Sequence, residues 1–216
     1  LRPFAIVAGL LSVSMLVMHG AGWLVIKLEK GIVRDRAAAL GAWAALASAL
    51  LFAVGGILLY LNVDGYRITS EVDMQALPNP LRKEVEIVPA GWLANYSRFP
   101  WMLIAPALGL AGPLVAFFAL RARSELAMAG SAAGVTGIIL SVGASMFPFI
   151  LPSSLDPQSS LTVWDSSSSH FTLFFMLVMA AIFVPMILYY TAWVYKVLWG
   201  RVTTEEATGA DGGHAY

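Results

Sequence analysis

The chain has 216 residues, with 13 Lys and Arg against 13 Asp and Glu; 59% are hydrophobic and 12% charged. A soluble domain carries roughly 25% charge and 45–50% apolar residues, so an ordinary water-soluble domain is excluded. Zero net charge excludes a basic nucleic-acid binder, and the lack of Cys excludes disulfides, thiolate metal sites and Cys-attached haem. An integral membrane protein remains.

A span needs about 20 apolar residues to cross a hydrocarbon core of about 30 Å. Five stretches qualify: 4–26, 37–63, 99–120, 126–151 and 171–195, none with an Asp, Glu, Lys or Arg. The expected fold is all-α, a polytopic transmembrane helix bundle of five spans. Residues 1–201 form the bundle, with outer loops 62–98 and 152–170, and 202–216 form a cytoplasmic tail.

The first span holds His19, the one ionisable residue in any span. An intramembrane ionisable group is a functional candidate. Three readings are open: a hydrogen bond between helices, a haem ligand or proton relay, and a lipid or quinone contact. Met15 lies one turn away on the same face, so the pair does not grip opposite sides of one iron. The second span carries small residues every fourth position (Ala45, Ala49, Ala53), as do the third (Ala105, Gly109, Pro113) and the fourth (Gly130, Gly134, then Gly137, Ser141, Ser145). Such stripes let helix backbones approach closely in lipid. Pro106, Pro113 and Pro185 are expected to kink their spans.

Loop 62–98 opens on Asp64-Gly65, read as turn chemistry in which Asp bonds its own backbone and Gly permits positive φ. A rigid turn and a short charged stretch follow at Pro78–Glu84. Aromatic residues gather at the span ends: Trp92, Tyr96, Phe99 and Trp101 at one, Tyr189, Tyr190, Trp193, Tyr195 and Trp199 at another. They read as interfacial belts. In loop 152–170, eight of 19 residues are Ser. Its Leu161-Thr162-Val163-Trp164 insert is apolar enough to dock, and Asp165 with the serines after it suits the N-cap of the fifth helix.

Short basic loops orient a membrane protein with their charges in the cytoplasm. Lys27, Lys30, Arg34 and Arg36 fill one loop, Arg121 and Arg123 another, and Lys196 and Arg201 follow the last span, whereas loop 152–170 has no Lys or Arg. The N-terminus is then outside and the C-terminus cytoplasmic. An outside start at Leu1 leads us to expect an even number of preceding spans in the full protein. No Walker A, dinucleotide-binding, zinc-protease or nucleophile-elbow pattern occurs. No catalytic residue and no metal ligand is expected in this segment.

The run Met146-Phe147-Pro148-Phe149-Ile150-Leu151-Pro152-Ser153-Ser154, followed by Ser159-Ser160-Leu161-Thr162-Val163-Trp164-Asp165-Ser166-Ser167-Ser168, resembles subunit II of the cytochrome bd-type quinol oxidases. Met18-His19-Gly20-Ala21, Asp64-Gly65-Tyr66, Asn79-Pro80-Leu81 with Lys83-Glu84, and Tyr189, Thr191, Trp193 and Tyr195 are similar too. The likeness covers the C-terminal half of the family's chain. It implies oxidation of a quinol with reduction of O2 to water, protons being taken up and released on opposite sides. It also implies haem b and haem d in a partner subunit I, with no cofactor held by this chain alone. Further expected partners are a small accessory subunit, a bound quinone and phospholipids, in a bacterial inner membrane and without nucleic acid. This segment's expected share is scaffold, with Trp164, Asp165, Asp64, Pro148 and Pro152 as structural and assembly residues and His19 as the weak cofactor candidate. The alternatives are half of a secondary transporter and a structural membrane protein without a redox partner.

Overall fold

The computed structural model describes residues 3–71 and 78–200; the tail 202–216 lies outside them. Five helices are long and apolar enough to cross a membrane. They are α1 (Pro3–Lys27), α2 (Ile32–Asn62), α4 (Ile104–Arg121), α5 (Leu126–Met146) and α6 (His170–Val197); α3 (Ala94–Arg98) is a short helix. The chain divides into two compact units. The first runs to Gly65 and resumes at Val88–Ser145; the second combines Tyr66–Ile87 with Met146–Gly200.

In the first unit each long helix buries one stripe. Met18, Ala21, Gly22 and Val25 do so on α1, and Ala38, Ala42, Ala45 and Ala49 on α2. The core cluster holds ten buried residues, seven of them Ala. Small side chains bring backbones together, and the glycines show how closely. A Cβ on Gly112 of α4 would stand 2.2 Å from the backbone N of Gly134 on α5. One on Gly137 would stand 2.3 Å from that of Gly109, and one on Gly41 2.2 Å from the Ala21 Cβ. The expected stripes on the third and fourth spans are therefore the contact surface itself, whereas Ala53 on α2 is exposed.

Helix α3 ties to the C-terminal end of α5, where Ala144 O is among the last four carbonyls, which lack helical partners. Asn95 Nδ2 donates to Ala144 O at 2.9 Å and Tyr96 Oη to Ser141 O at 2.9 Å. Trp92 is buried, and its indole N–H donates to Asp64 O at 2.9 Å. Two members of the expected belt thus serve as internal ties, while Phe99 and Trp101 stay exposed.

The second unit is held by short strands that the apolar pattern did not announce. β1 (Gly65–Ile68) pairs with β2 (Val85–Val88), and β3 (Phe149–Leu151) runs antiparallel to β4 (Leu161–Thr162). The fourth helix stops at Met146, five residues before the expected end at 151, because Pro148 offers no N–H and residues 149–151 spend theirs on a ladder. The second helix starts at Ile32 rather than 37, since Arg34 finds acceptors inside the bundle. Pro106 lies in the first turn of α4, where a missing N–H costs nothing, so only Pro113 and Pro185 are interior. No residue of α6 is buried.

Candidate functional site

Polar side chains in so oily a chain mark where chemistry or specific attachment resides. Three groups stand out, two in the bundle and one in the loops.

On α1, His19 Nδ1 lies 3.0 Å from Ser131 Oγ on α5, and Ser131 Oγ lies 3.0 Å from its donor target Met128 O. With the Ser131 hydroxyl donating to Met128 O, the imidazole donates to Ser131 Oγ through Nδ1. Beside this contact α1 and α5 run close together: a Cβ added at Gly22 would stand 3.3 Å from Met128 Cα and from Ser131 Oγ. Of the three readings for His19, its one described partner matches the bond between helices.

Arg34 of α2 is buried, and its guanidinium answers carbonyls rather than a carboxylate. Nε donates to Val25 O at 3.0 Å and Nη2 to Arg123 O at 3.1 Å. Both oxygens belong to helix C-terminal ends, where the helix dipole favours a cation. Arg123 itself sits at φ 53°, with Ser124 N bonded to Ala119 O and Arg123 N to Leu120 O. That is the Schellman ending of α4, made with Arg where Gly is usual. The Arg123 side chain then pairs with Asp35 at 2.5 Å.

The third group lies wholly in the second unit. Lys83 Nζ stands 2.8 Å from Asp165 Oδ2, with side-chain exposures of 5% and 10%, so the pair is nearly dry. Lys83 also donates to Pro80 O at 2.8 Å, and Asp165 Oδ1 accepts from Thr162 N at 2.7 Å. Burial pushes the Asp165 carboxyl up. The hydrogen bonds from Lys83 and Thr162 and the Lys83 charge outweigh it and hold the group below its ordinary value of 3.8. Alongside, the Gln158 amide bonds both ways to the Val85 backbone, Oε1 from N and Nε2 to O, each at 3.1 Å. Tyr66 Oη donates to Ser153 O at 2.8 Å, and its ring meets Phe149 edge-on at 5.9 Å.

Of the residues singled out from sequence, this hairpin gathers Pro148, Pro152, Trp164 and Asp165. Val163 N donates to Pro148 O at 3.0 Å, and the half-buried Trp164 meets the Phe147 ring edge-on at 5.9 Å. Pro152 is half-buried just after β3. Asp165 does not cap the last helix: Ser169 does, accepting from Thr172 N. The carboxylate is drawn away because a buried cation, Lys83, outbids exposed amides. Asp64 offers its carbonyl to Trp92, while its side chain is exposed. Gly65 is needed for close approach and not for a positive φ: a Cβ there would stand 2.3 Å from Trp92 N. Sequence reasoning missed Lys83, Arg34 and Gln158. One signal was present for Lys83, since a loop with buried-looking acid and no base must borrow its cation. Among the described residues no three His, Asp or Glu side chains form a metal-holding group.

These features define a polytopic all-α membrane protein whose polar side chains fasten helices and loops. Residues 1–198 match the family model of cytochrome bd terminal oxidase subunit II, and the chain belongs to that family. It is similar to the probable cytochrome oxidase subunit 2 of Haemophilus influenzae, 40% identical over 203 residues, covering 94% of this chain and 53% of that protein. It is also similar to the cytochrome bd-I ubiquinol oxidase subunit 2 of Escherichia coli K12, 39% identical over 207 residues, covering 95% of this chain and 54% of that protein. The chain thus spans about half the length of the curated relatives it matches.

Proposed function

We propose that the chain acts within subunit II of a terminal oxidase that oxidises a quinol and reduces O2 to water. Two quinols give up four electrons and four protons, and O2 takes up the same number to form two waters. Haems b and d are carried by a partner subunit I, and the residues described above attach, brace and seal. The location is a bacterial inner membrane, with loops 62–98 and 152–170 outside and the C-terminus in the cytoplasm. Charge asymmetry supports that orientation: segments 27–36 and 121–125 hold six basic against three acidic residues, whereas loops 62–98 and 152–170 hold four basic against seven acidic. A small accessory subunit and a bound quinone belong to the same reading.

One observation carries the scaffold assignment. Both carboxylate oxygens of Asp165 are engaged, one by a backbone N–H and one by Lys83, leaving no free acid at the most distinctive motif of the chain. The test is purification of the whole complex from its own membrane, with haem content and quinol-dependent O2 uptake measured on the same sample. A Soret band and O2 uptake are expected; a complex that carries no haem would overturn the reading. Trp164→Ala should lower the amount of assembled complex and leave turnover per haem unchanged; the opposite pattern would give the loop a part in the chemistry. For orientation, Leu155, which is 97% exposed, suits a Cys probe better than Gln158, whose amide holds Val85. Leu155→Cys should react with an impermeant thiol reagent in intact cells and Lys30→Cys should not.

A further inference from the structure

The end of the bundle that carries the basic loops holds cations that have no acidic partner among the described residues. Arg123 has Asp35, and Arg34 has two carbonyls. Arg121 has neither. Its guanidinium lies over the Phe117 ring at 4.7 Å and the Trp43 ring at 5.9 Å. Among the described residues it has no carboxylate or carbonyl partner, nor does the indole N–H of Trp43. Side chains on a helix lean toward its N-terminus, and Phe117 is one turn earlier on α4. The charge is therefore drawn back along the apolar helix, where an unpaired cation is costly. Stacking on aromatic faces fixes the plane of the guanidinium and leaves its edge donors for a bidentate acceptor.

The surroundings identify that acceptor. Arg36, Leu40 and Trp43 recur at helical spacing on one face of α2, and all three are exposed. Arg36 stands about 10 Å along the axis from Trp43 and also has no acidic partner among the described residues. Leu40, 65% exposed, lies between Arg36 and Trp43 on α2, and Phe118, 68% exposed, lies one turn before Arg121 on α4, an apolar surface beside the cations. We propose that Arg121, held on Trp43 and Phe117, and Arg36 receive the phosphate of an anionic phospholipid whose acyl chains lie against Leu40 and Phe118. A free phosphate has no use for the apolar surface. A zwitterionic headgroup would bring its own cation toward Arg36. The site requires that the helices span a membrane and that this face meets lipid, and it stands or falls independently of the oxidase assignment.

The test uses the full-length protein with its native partner subunits, placed in nanodiscs of equal phosphatidylglycerol and phosphatidylcholine and released for native mass spectrometry. The wild type should retain phosphatidylglycerol preferentially. Arg121→Gln should lower the bound phosphatidylglycerol to phosphatidylcholine ratio about five-fold, the weight of one surface cation, and Arg121→Lys should restore part of it because the charge returns without the stacked plane. Should Arg121→Gln fail to accumulate, Arg36→Gln, at an exposed position outside the packing, gives the same reading. An unchanged lipid ratio in a well-assembled variant overturns the proposal. So does loss of a partner polypeptide at unchanged lipid ratio, which would make Arg121 a contact for protein.

Discussion

Helices α5 and α6 are both apolar enough to span a membrane, yet they behave in opposite ways. In its most apolar window α5 buries 39% of its residues, and α6 buries none. The difference is side-chain size. α5 presents Gly130, Ser131, Gly134, Gly137 and Ser141 on one face, whereas α6 has no Gly and carries Phe171, Phe174, Phe175, Tyr189, Tyr190 and Trp193 in the open. In lipid, greasiness does not drive helix association, because the tails are as apolar as Leu; close backbone approach does. The units differ in the same sense. The first is held by backbones in contact, and the loops of the second by a dry ion pair and side chains that imitate strands.

The sharpest way to break this comparison is to remove one half of the ion pair. Asp165→Ala leaves Lys83 buried and unpaired, which typically costs about 3–5 kcal/mol, and the thermal unfolding of the purified protein should fall accordingly. Asp165→Asn keeps an acceptor for Thr162 N but not the charge, so it should lie between Ala and wild type. Lys83→Met combined with Asp165→Leu should recover most of the loss; failure to recover would mean the pair does more than fasten the loop. The next effect belongs to the bundle. Gly112→Ala forces a Cβ onto the α5 backbone, an overpacking worth about 1–3 kcal/mol. The much larger change Ala181→Leu on α6 should leave detergent stability unaltered. Equal sensitivity at both positions would erase the contrast between the helices.

The remaining effects are smaller. The Asp165 carboxyl is held below its unfolded value, so its contribution is present above about pH 4 and is lost as pH falls through the lower folded value. A stability profile measured downward from pH 7 should be flat in this respect until about pH 4, and flatter still below it in the Lys83→Met, Asp165→Leu variant. His19→Ala removes one bond between helices, worth about 0.6 kcal/mol in a membrane bundle, and should leave every haem band of the assembled complex in place; loss of a single band would return His19 to the cofactor. Last, Arg123→Gly relieves a left-handed residue at a cost of about 1 kcal/mol and gives up an exposed pair worth up to about 1 kcal/mol. A net change within about 0.5 kcal/mol is expected.

The five apolar helices were legible because length and the absence of charge suffice to find them. The Gly130-Gly134-Gly137-Ser141 face was legible from spacing alone. Asp165 was misread because sequence shows neighbours at short range: four further helix-capping candidates, Ser166 to Ser169, stood beside it, and its partner Lys83 is 82 positions away. The helix boundaries failed for related reasons. Arg34 marked the outside of a span by charge, although carbonyls at two helix ends make it an interior residue. Residues 147–151 are apolar enough for a helix, but Pro148 and the partner strand β4 decide otherwise. Gly65 was credited with rotational freedom when what it supplies is room.

Arg34 fixes more than a charge. One planar group on α2 grips the last turn of α1 and the chain just past the end of α4. Sliding either helix along its axis by one turn, about 5.4 Å, would carry a carbonyl out of reach and strand a buried cation. Alanine and glycine faces, being smooth, resist such sliding weakly. The guanidinium therefore acts as a detent, so that three helices with slippery sides rise, tilt or stay still as one body.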